Sequence, residues 1–491
     1  MVTSALDGML RMLVPAVLVG MLAGCAAGPD FRRPEPPASS TYLPGAQPSG
    51  TVAAMGPGGS PQRFDTGADI PSEWWSLFRS ESLDRRIRIA LEESPTLAKA
   101  RARLAQARED LNARAGATQY PAADAGISAT RQKLNLASLG VSNIPEPGPF
   151  TLYNASISIS YALDLFGGNR RALEGLGAQV DYRRFELEAA RRTLAANVVN
   201  AAIRQASLRA RIGIARDLLE AQGRQFAITE DRYMAGGVSA LDVRNQNVLL
   251  DQTRALLPPL ERQLAQVTHQ LAVYEGREPA GSAIDAFDLD ALHLPEEVPL
   301  SLPSSLARKR PDIRAAEALW HQACANVGVA AADLFPKITL RGSLGSQRTD
   351  SGEHLNGVNV WSIAGNLMQP IFRGGELRAR KRSAVAAYDE AAAVYRQTVL
   401  QGLQEVADAL SALDMDARTL QVRADAAEHA RVGYGIARQQ YLIGGISHLA
   451  LLDAQRQLLQ SEFDRLQAQA DRYADTAALL HALGGGWREI E

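Results

Sequence analysis

The feature that most constrains the fold of this chain is an internal duplication, because the landmarks of residues 76–275 return in the same order in residues 304–485. Convergent helical composition could match alanines and leucines, but it would not reproduce prolines, tyrosines and glycine pairs in order. Two copies of one structural unit are therefore predicted. The matched landmarks are Ser94-Pro95 with Arg310-Pro311, Tyr120-Pro121 with Phe335-Pro336, Leu165-Phe166 with Ile371-Phe372, Tyr182 with Tyr388, and Tyr233 to Ser239 with Tyr441 to Ser447.

Each half contains two segments in which apolar and polar residues alternate, which is the pattern of a β-strand with one apolar face. The segments span about residues 121–135, 150–165, 336–348 and 357–371. In an ordinary sandwich the apolar face would be core. Strands longer than about ten residues are instead typical of transmembrane barrels.

The four predicted strands cannot close a barrel alone, since natural single-chain barrels need at least about eight. A barrel would therefore be shared between copies of the chain. Two copies would contribute eight strands and three would contribute twelve, and the strand pattern does not choose between them.

The segments that follow the strands are predicted to be very long helices, because no proline interrupts residues 168–233 or 374–441. At 1.5 Å per residue each would extend about 100 Å. The helix after the first Gly-Gly pair is predicted to break at Pro258-Pro259, because proline removes a hydrogen bond and clashes with the preceding turn. After the second pair, gaps of three and four form a regular coiled-coil seam: Leu449, Leu452, Arg456, Leu459, Phe463, Leu466, Ala470, Tyr473, Ala477 and Leu480.

The N-terminus has the features of a secretory signal peptide, predicted over residues 1–24. Arg11 precedes an apolar run over residues 12–23 that is too short to span a bilayer. The run ends in Leu-Ala-Gly-Cys, which resembles the bacterial lipoprotein box, so Cys25 is predicted to carry lipid and to become the mature N-terminus. Cys324 would then be the one remaining thiol, and no disulfide framework is expected.

The remaining segments are assigned by composition. Residues 25–75 are rich in proline and glycine and are predicted to be an extended, lipid-anchored segment. Residues 276–303 have no period and are predicted to be a connector or a small lateral region, and residues 486–491 a C-terminal tail.

The charge balance argues against a nucleic-acid partner, because 52 basic residues nearly cancel 54 acidic residues. After the signal segment the sequence has no apolar run of about 18 residues, so any membrane crossing would be made by strands.

No catalytic motif is present, and the chain is predicted not to be an enzyme and to need no cofactor or metal. His321 and Cys324 lie one turn apart on a predicted helix and could in principle form a nucleophile–base or metal pair, but an ordinary buried thiol is the preferred interpretation. Trp74-Trp75 is interpreted as a hydrophobic anchor rather than a ligand platform.

An ordered set of motifs resembles the TolC-like outer-membrane efflux factors, in particular the lipoprotein branch of OprM and NodT. The resemblance covers nearly the whole mature chain. Its motifs are Cys25 with residues 28–34 (GPDFRRP), residues 74–78 (WWSLF), 310–317 (RPDIRAAE), 333–336 (DLFP), 405–410 (EVADAL), 452–456 (LDAQR) and 483–487 (LGGGW).

The resemblance implies an α+β membrane protein that forms a homotrimer. Twelve strands would make a transmembrane barrel in the outer membrane, and the long coiled-coil helices would form a periplasmic tunnel. The implied function is a passive conduit that exports small molecules such as drugs and toxic compounds. It also implies docking to a periplasmic adaptor and an inner-membrane RND-type transporter, with a lipid anchor at Cys25. The sequence does not identify the cargo or the cognate pump.

The closed aperture is predicted in residues 441–456, where the second Gly-Gly break joins two helices. By resemblance, Leu449 and Asp453 would line the constriction, with Tyr441 and Arg456 in its polar network. The alternative is that Asp453 and Arg456 form an ordinary i,i+3 surface pair. The first half has Asn245 where the second has Asp453, so a further tip charge would have to come from Asp242.

The sequence pattern is also compatible with a second class of function. A lipid-anchored trimeric coiled-coil scaffold or adhesin would share the helical pattern but would have no pore. Conductance of the purified protein separates the two, because a scaffold produces no channel events.

Overall fold

The structure is a computed structural model that describes residues 26–45, 47–133, 148–281, 287–350 and 358–484. The predicted signal peptide 1–24, the lipidation site Cys25 and the tail 486–491 lie outside the described residues. The chain forms two compact units. The first unit comprises Met1–Arg33, Leu104–Arg183 and Ala316–Tyr395, and the second comprises Pro34–Arg103, Arg184–Ala315 and Arg396–Glu491.

The first unit contains a four-stranded antiparallel sheet. In the order in which they pair, its strands are β2 (Ala122–Gln132), β3 (Phe150–Leu163), β5 (Lys337–Thr349) and β6 (Val358–Met368). The alternation of apolar and polar residues predicted these strands. Each half of the chain supplies one hairpin, and the pairing of β3 with β5 joins the two halves. Strands β2 and β6 are the edges of the sheet.

The pairing register sorts the side chains of this sheet into alternating rows. Ala125, Ile157, Leu344 and Trp361 lie opposite one another in one apolar row. The next row is polar and consists of Asp124, Ser158, Ser343 and Ser362. The side chains of Ile157, Leu344 and Trp361 are exposed in the protomer. A contiguous exposed apolar face of this kind needs a lipid or protein surface to cover it.

The helices account for most of the remaining chain. Two of them have 67 residues each, which corresponds to about 100 Å of helix. The helices are α1 (Glu81–Glu93), α2 (Pro95–Gln119), α3 (Gly168–Met234), α4 (Ala240–Tyr274), α5 (Pro303–Lys309), α6 (Pro311–Ala332), α7 (Glu376–Leu442) and α8 (His448–Ala482).

The hydrophobic core of the second unit contains the tryptophans that the sequence singled out. Trp74 and Phe78 lie on a short 3-10 helix and are fully buried against Leu83 and Ile87 of α1. Trp75 is also buried and packs edge-on against Trp74. The pair therefore acts as a hydrophobic anchor.

A small parallel sheet of the second unit joins the N-terminal segment to the connector between the repeats. Its strands are β1 (Arg63–Thr66) and β4 (Glu297–Leu300). The guanidinium of Arg472 on α8 is fully buried and donates to Thr51 Oγ1 at 2.9 Å and to the carbonyl of Ser60 at 2.8 Å. These bonds hold the N-terminal segment against α8.

The predicted helix break at Pro258-Pro259 was wrong, because α4 continues through both prolines. Two adjacent prolines remove two backbone donors and carry a penalty of about 3 kcal/mol each in a helix interior. Buried residues on both sides, including Leu249 before the prolines and Leu260 after them, pack the helix into the second unit. This tertiary packing outweighs the local penalty.

Within the described residues, no helix is both long enough and apolar enough to cross a bilayer.

Candidate functional site

The two Gly-Gly turns have the same backbone geometry in both halves. In the second half Gly444 has a φ of 77°, which favours glycine, and the N–H of Gly445 donates to the carbonyl of Gln440 at 2.8 Å. In the first half the N–H of Gly237 donates to the carbonyl of Arg232, also at 2.8 Å. The glycines thus end α3 and α7 and allow α4 and α8 to start within a few residues.

Asp242 caps the start of α4. Its carboxylate accepts from the N–H of Ser239 at 3.0 Å and from Ser239 Oγ at 2.7 Å, while Ser239 Oγ accepts from the N–H of Asp242. These hydrogen bonds complete a capping box and lower the pKa of Asp242. The equivalent position of α8 is Ala450, which has no such carboxylate.

Asp453 and Arg456 lie together on α8. The Asp453 Oδ1 atom is 3.3 Å from Arg456 Nη1, and both side chains are more than half exposed. Leu449 is 57% exposed. Within one protomer these residues form an i,i+3 pair and an adjacent exposed leucine.

Tyr441 lies in a different environment, because it is buried. The centroid of the Tyr441 ring is 5.1 Å from the centroid of the His448 ring. The guanidinium of Arg232, on α3, lies 5.7 Å from the centroid of the Tyr441 ring. The Tyr441 hydroxyl has no hydrogen-bond partner among the described residues.

The sequence pattern did not single out His448. The predicted seam began at Leu449, but the buried positions at the start of α8 are His448, Leu451, Leu452 and Gln455. His448 is 6% exposed, and neither ring nitrogen has a hydrogen-bond partner in the described ranges. Residues 448, 452 and 455 are also separated by four and three positions, so the sequence is equally compatible with a seam that begins at His448.

The N-terminal segment that follows Cys25 docks on the first unit. The N–H of Ala27 donates to the carbonyl of Phe166 at 2.9 Å, at the junction of β3 and α3. Asp30 Oδ1 is 2.5 Å from Arg171 Nη2 on α3. The residues after the predicted lipidation site are therefore held close to the end of a strand.

His321 and Cys324 do not form a catalytic pair. His321 Nε2 lies 2.8 Å from Glu174 Oε1, whereas Cys324 is buried and its thiol donates to the carbonyl of Pro29 at 3.5 Å. Burial raises the pKa of Cys324, which keeps the thiol neutral and unreactive.

The charges around His321 form a structural network. Burial opposes ionisation of Glu174, but hydrogen bonds from Arg171 and His321 outweigh it and lower the pKa of the carboxyl. No group of three potential metal ligands occurs in the part of the chain that the structure describes.

Comparison with known proteins places these features in a family. The model of the family described as "Outer membrane efflux protein" matches residues 87–277 and 302–485. The chain is 31% identical over 453 residues to the pyoverdine export outer membrane protein OpmQ of Pseudomonas aeruginosa, covering 88% of this chain and 94% of that protein. It is 30% identical over 483 residues to the toluene efflux pump outer membrane protein TtgC of Pseudomonas putida, covering 96% and 95%.

Solved structures are similar over nearly the whole chain. The outer-membrane channel OprN superposes with a TM-score of 0.82 at 30% identity, covering 94% of this chain and 100% of that chain. The open state of the MtrE outer membrane channel of Neisseria gonorrhoeae has a TM-score of 0.79 at 25% identity, covering 94% and 98%.

Proposed function

The chain belongs to the outer membrane efflux protein family and is the outer-membrane channel of an efflux system, and we propose that it works as a homotrimer. Each protomer would contribute four strands to a twelve-stranded barrel and its long helices to a periplasmic tunnel. The family consists of transport proteins, which agrees with the lack of a catalytic motif in the sequence.

The observation that best supports this proposal is the incomplete sheet of the first unit. Strands β2 and β6 are edges, and the face that carries Ile157 and Trp361 is apolar and exposed. Unpaired edges cannot persist in a bilayer, because their backbone groups would lack partners. Pairing β6 of one protomer with β2 of the next removes the edges and turns the apolar face to lipid.

The family supports a proposal for the partners and the cargo. We propose docking to a periplasmic adaptor and an inner-membrane RND-type transporter. Pyoverdine and toluene, named for two relatives, are chemically unlike each other. Such chemical variety among exported compounds suits a passive conduit that receives its cargo from the pump. For this chain we propose small organic molecules as the class of cargo.

Lipidation of Cys25 is also a proposal. Support comes from the docking of residues 26–33, which would bring a lipid on Cys25 close to the end of β3. Gly28 permits this docking, because its φ of 92° and its close approach to Gly328 leave no room for a side chain.

We also propose a division of the chain into an N-terminal segment at residues 25–75, two repeats at 76–275 and 304–485, and a connector at 276–303. Each compact unit takes segments from both repeats, so the repeats are units of duplication rather than of packing.

The aperture is proposed at the α7–α8 turn, with Leu449 and Asp453 at the constriction and Tyr441 and Arg456 in its network. Leu449, Asp453 and Arg456 are exposed in the protomer and are therefore available to line a lumen. Tyr441 is buried, and it would contribute by holding the α7–α8 turn in place.

Recording from purified trimers in planar bilayers tests the proposed function. The wild type is expected to show discrete channel events, and Leu449→Ala, Asp453→Ala and Arg456→Ala are expected to assemble normally but to open more often. The matched control is Arg254→Ala, which removes an equally exposed i,i+3 partner of Asp251 on α4. A protein without channel events would be a scaffold, and variants that conduct like wild type would move the aperture elsewhere.

A further inference from the structure

The environment of His448 is unusual for a histidine. It occupies the first position of α8, directly after the N-cap Ser447, and it is buried. A buried polar group without a hydrogen bond destabilises the packed state, and an imidazolium there would destabilise it more. The start of a helix also disfavours positive charge. The ring is therefore expected to pack only as the neutral species.

The groups around His448 come from three other helices. Tyr441 of α7 contacts the imidazole ring directly and presents an uncharged hydroxyl without a partner. Arg232 of α3 lies over the Tyr441 ring and brings a positive charge to the same cluster. The carboxylate of Asp242 on α4 also acts on His448: its Oδ2 atom accepts both hydrogen bonds from Ser239, and its negative charge favours the imidazolium. Asp242 makes no hydrogen bond to either ring nitrogen of His448, so its charge offsets the cost of burying an imidazolium only in part.

We propose that His448 is a pH-sensitive latch that holds the α7–α8 turn packed when neutral and releases it when protonated. Release would allow the imidazolium to reach water, and this requires the turn to separate from α3 and α4. The link to the aperture rests on the proposed function, but the latch itself concerns only the packing of the turn.

The direction of the pH effect follows from proton linkage. Burial lowers the pKa of His448 below its usual 6.5, opposed by the Asp242 carboxylate. The packed turn therefore binds fewer protons than the released turn. Its stability is complete above about pH 6.5 and falls as the pH drops below that value. Each responding protomer can change the released-to-packed ratio by up to about tenfold per pH unit.

The test compares the wild type with His448→Phe, which keeps an aromatic ring beside Tyr441 but cannot titrate. Hydrogen exchange of residues 439–452 is measured at pH 7.5 and 5.5, with rates corrected for intrinsic pH dependence. The wild type should lose protection at pH 5.5, whereas His448→Phe should be equally protected at both values. His429→Gln is the matched control, because His429 is an exposed histidine on α7, and it should behave like wild type.

Channel recording at the same two pH values separates the latch from the aperture. Acid-induced opening in wild type and not in His448→Phe supports both. Acid-induced loss of protection without a change in conductance supports the latch and places the aperture elsewhere. Equal loss of protection in wild type and His448→Phe overturns the latch. If His448→Phe does not assemble, His448→Gln takes its place, with the same outcomes.

Discussion

At the scale of single residues, burial separates positions that the sequence leaves nearly equivalent. Leu449 and His448 are neighbours and both fit an alternation of three and four, yet His448 is buried and Leu449 is exposed. Spacing alone cannot decide which of two adjacent residues begins a buried seam when both are followed by the same apolar residues at intervals of three and four. The lipidation motif at Cys25 is local, so the sequence predicts it without help from the fold.

The two faces of β3 give a prediction at this scale. Ile157→Arg should impair membrane insertion, because arginine on a lipid-facing strand costs roughly 2 to 4 kcal/mol near the bilayer midplane. Ser158→Arg is the matched control on the opposite face of the same strand and should be much milder. The amount of heat-stable trimer in outer-membrane fractions measures both, and equal damage would mean that the lipid face is misassigned.

At the scale of elements, long periodic segments were predictable and short ones were not. Strands β2, β3, β5 and β6 have many alternating residues, and the 67-residue helices have no internal proline. Strands β1 and β4 have four residues each, too few for a period, and they form only because distant parts of the chain meet. Pro258-Pro259 was misjudged because tertiary packing overrides local propensity.

The prolines of α4 give a prediction at this scale. Replacing Pro258 and Pro259 by alanine restores two backbone donors and should raise the thermal stability of the protein. The gain is expected to be smaller than the propensity difference of about 3 kcal/mol per proline, because α4 is already adapted to both. Pro95→Ala is the control, since Pro95 opens α2, where proline is favourable. A fall in melting temperature for the double variant would show that the prolines shape α4 in a way its packing requires.

At the scale of the whole molecule, the proposed function gives membrane attachment two sources, the shared barrel and the lipid on Cys25. Cys25→Ser should remove the lipid but leave trimers in the outer membrane, because a closed barrel supplies its own membrane affinity. Fractionation followed by native gel electrophoresis checks this. Recovery of only soluble periplasmic monomer would show that the lipid is needed for assembly.

The pairing of β3 with β5 also has a consequence for how the chain folds. The N–H of Thr151 at the start of β3 donates to Asp350, 199 positions further along the chain. Contacts this distant in sequence raise the contact order and slow folding, because a large loop must close before they form. After export, the first hairpin must wait with an unpaired edge until the second half arrives. We therefore expect a nascent chain of this design to need protection from aggregation in the periplasm, so periplasmic holdase capacity, rather than native stability, should limit its yield.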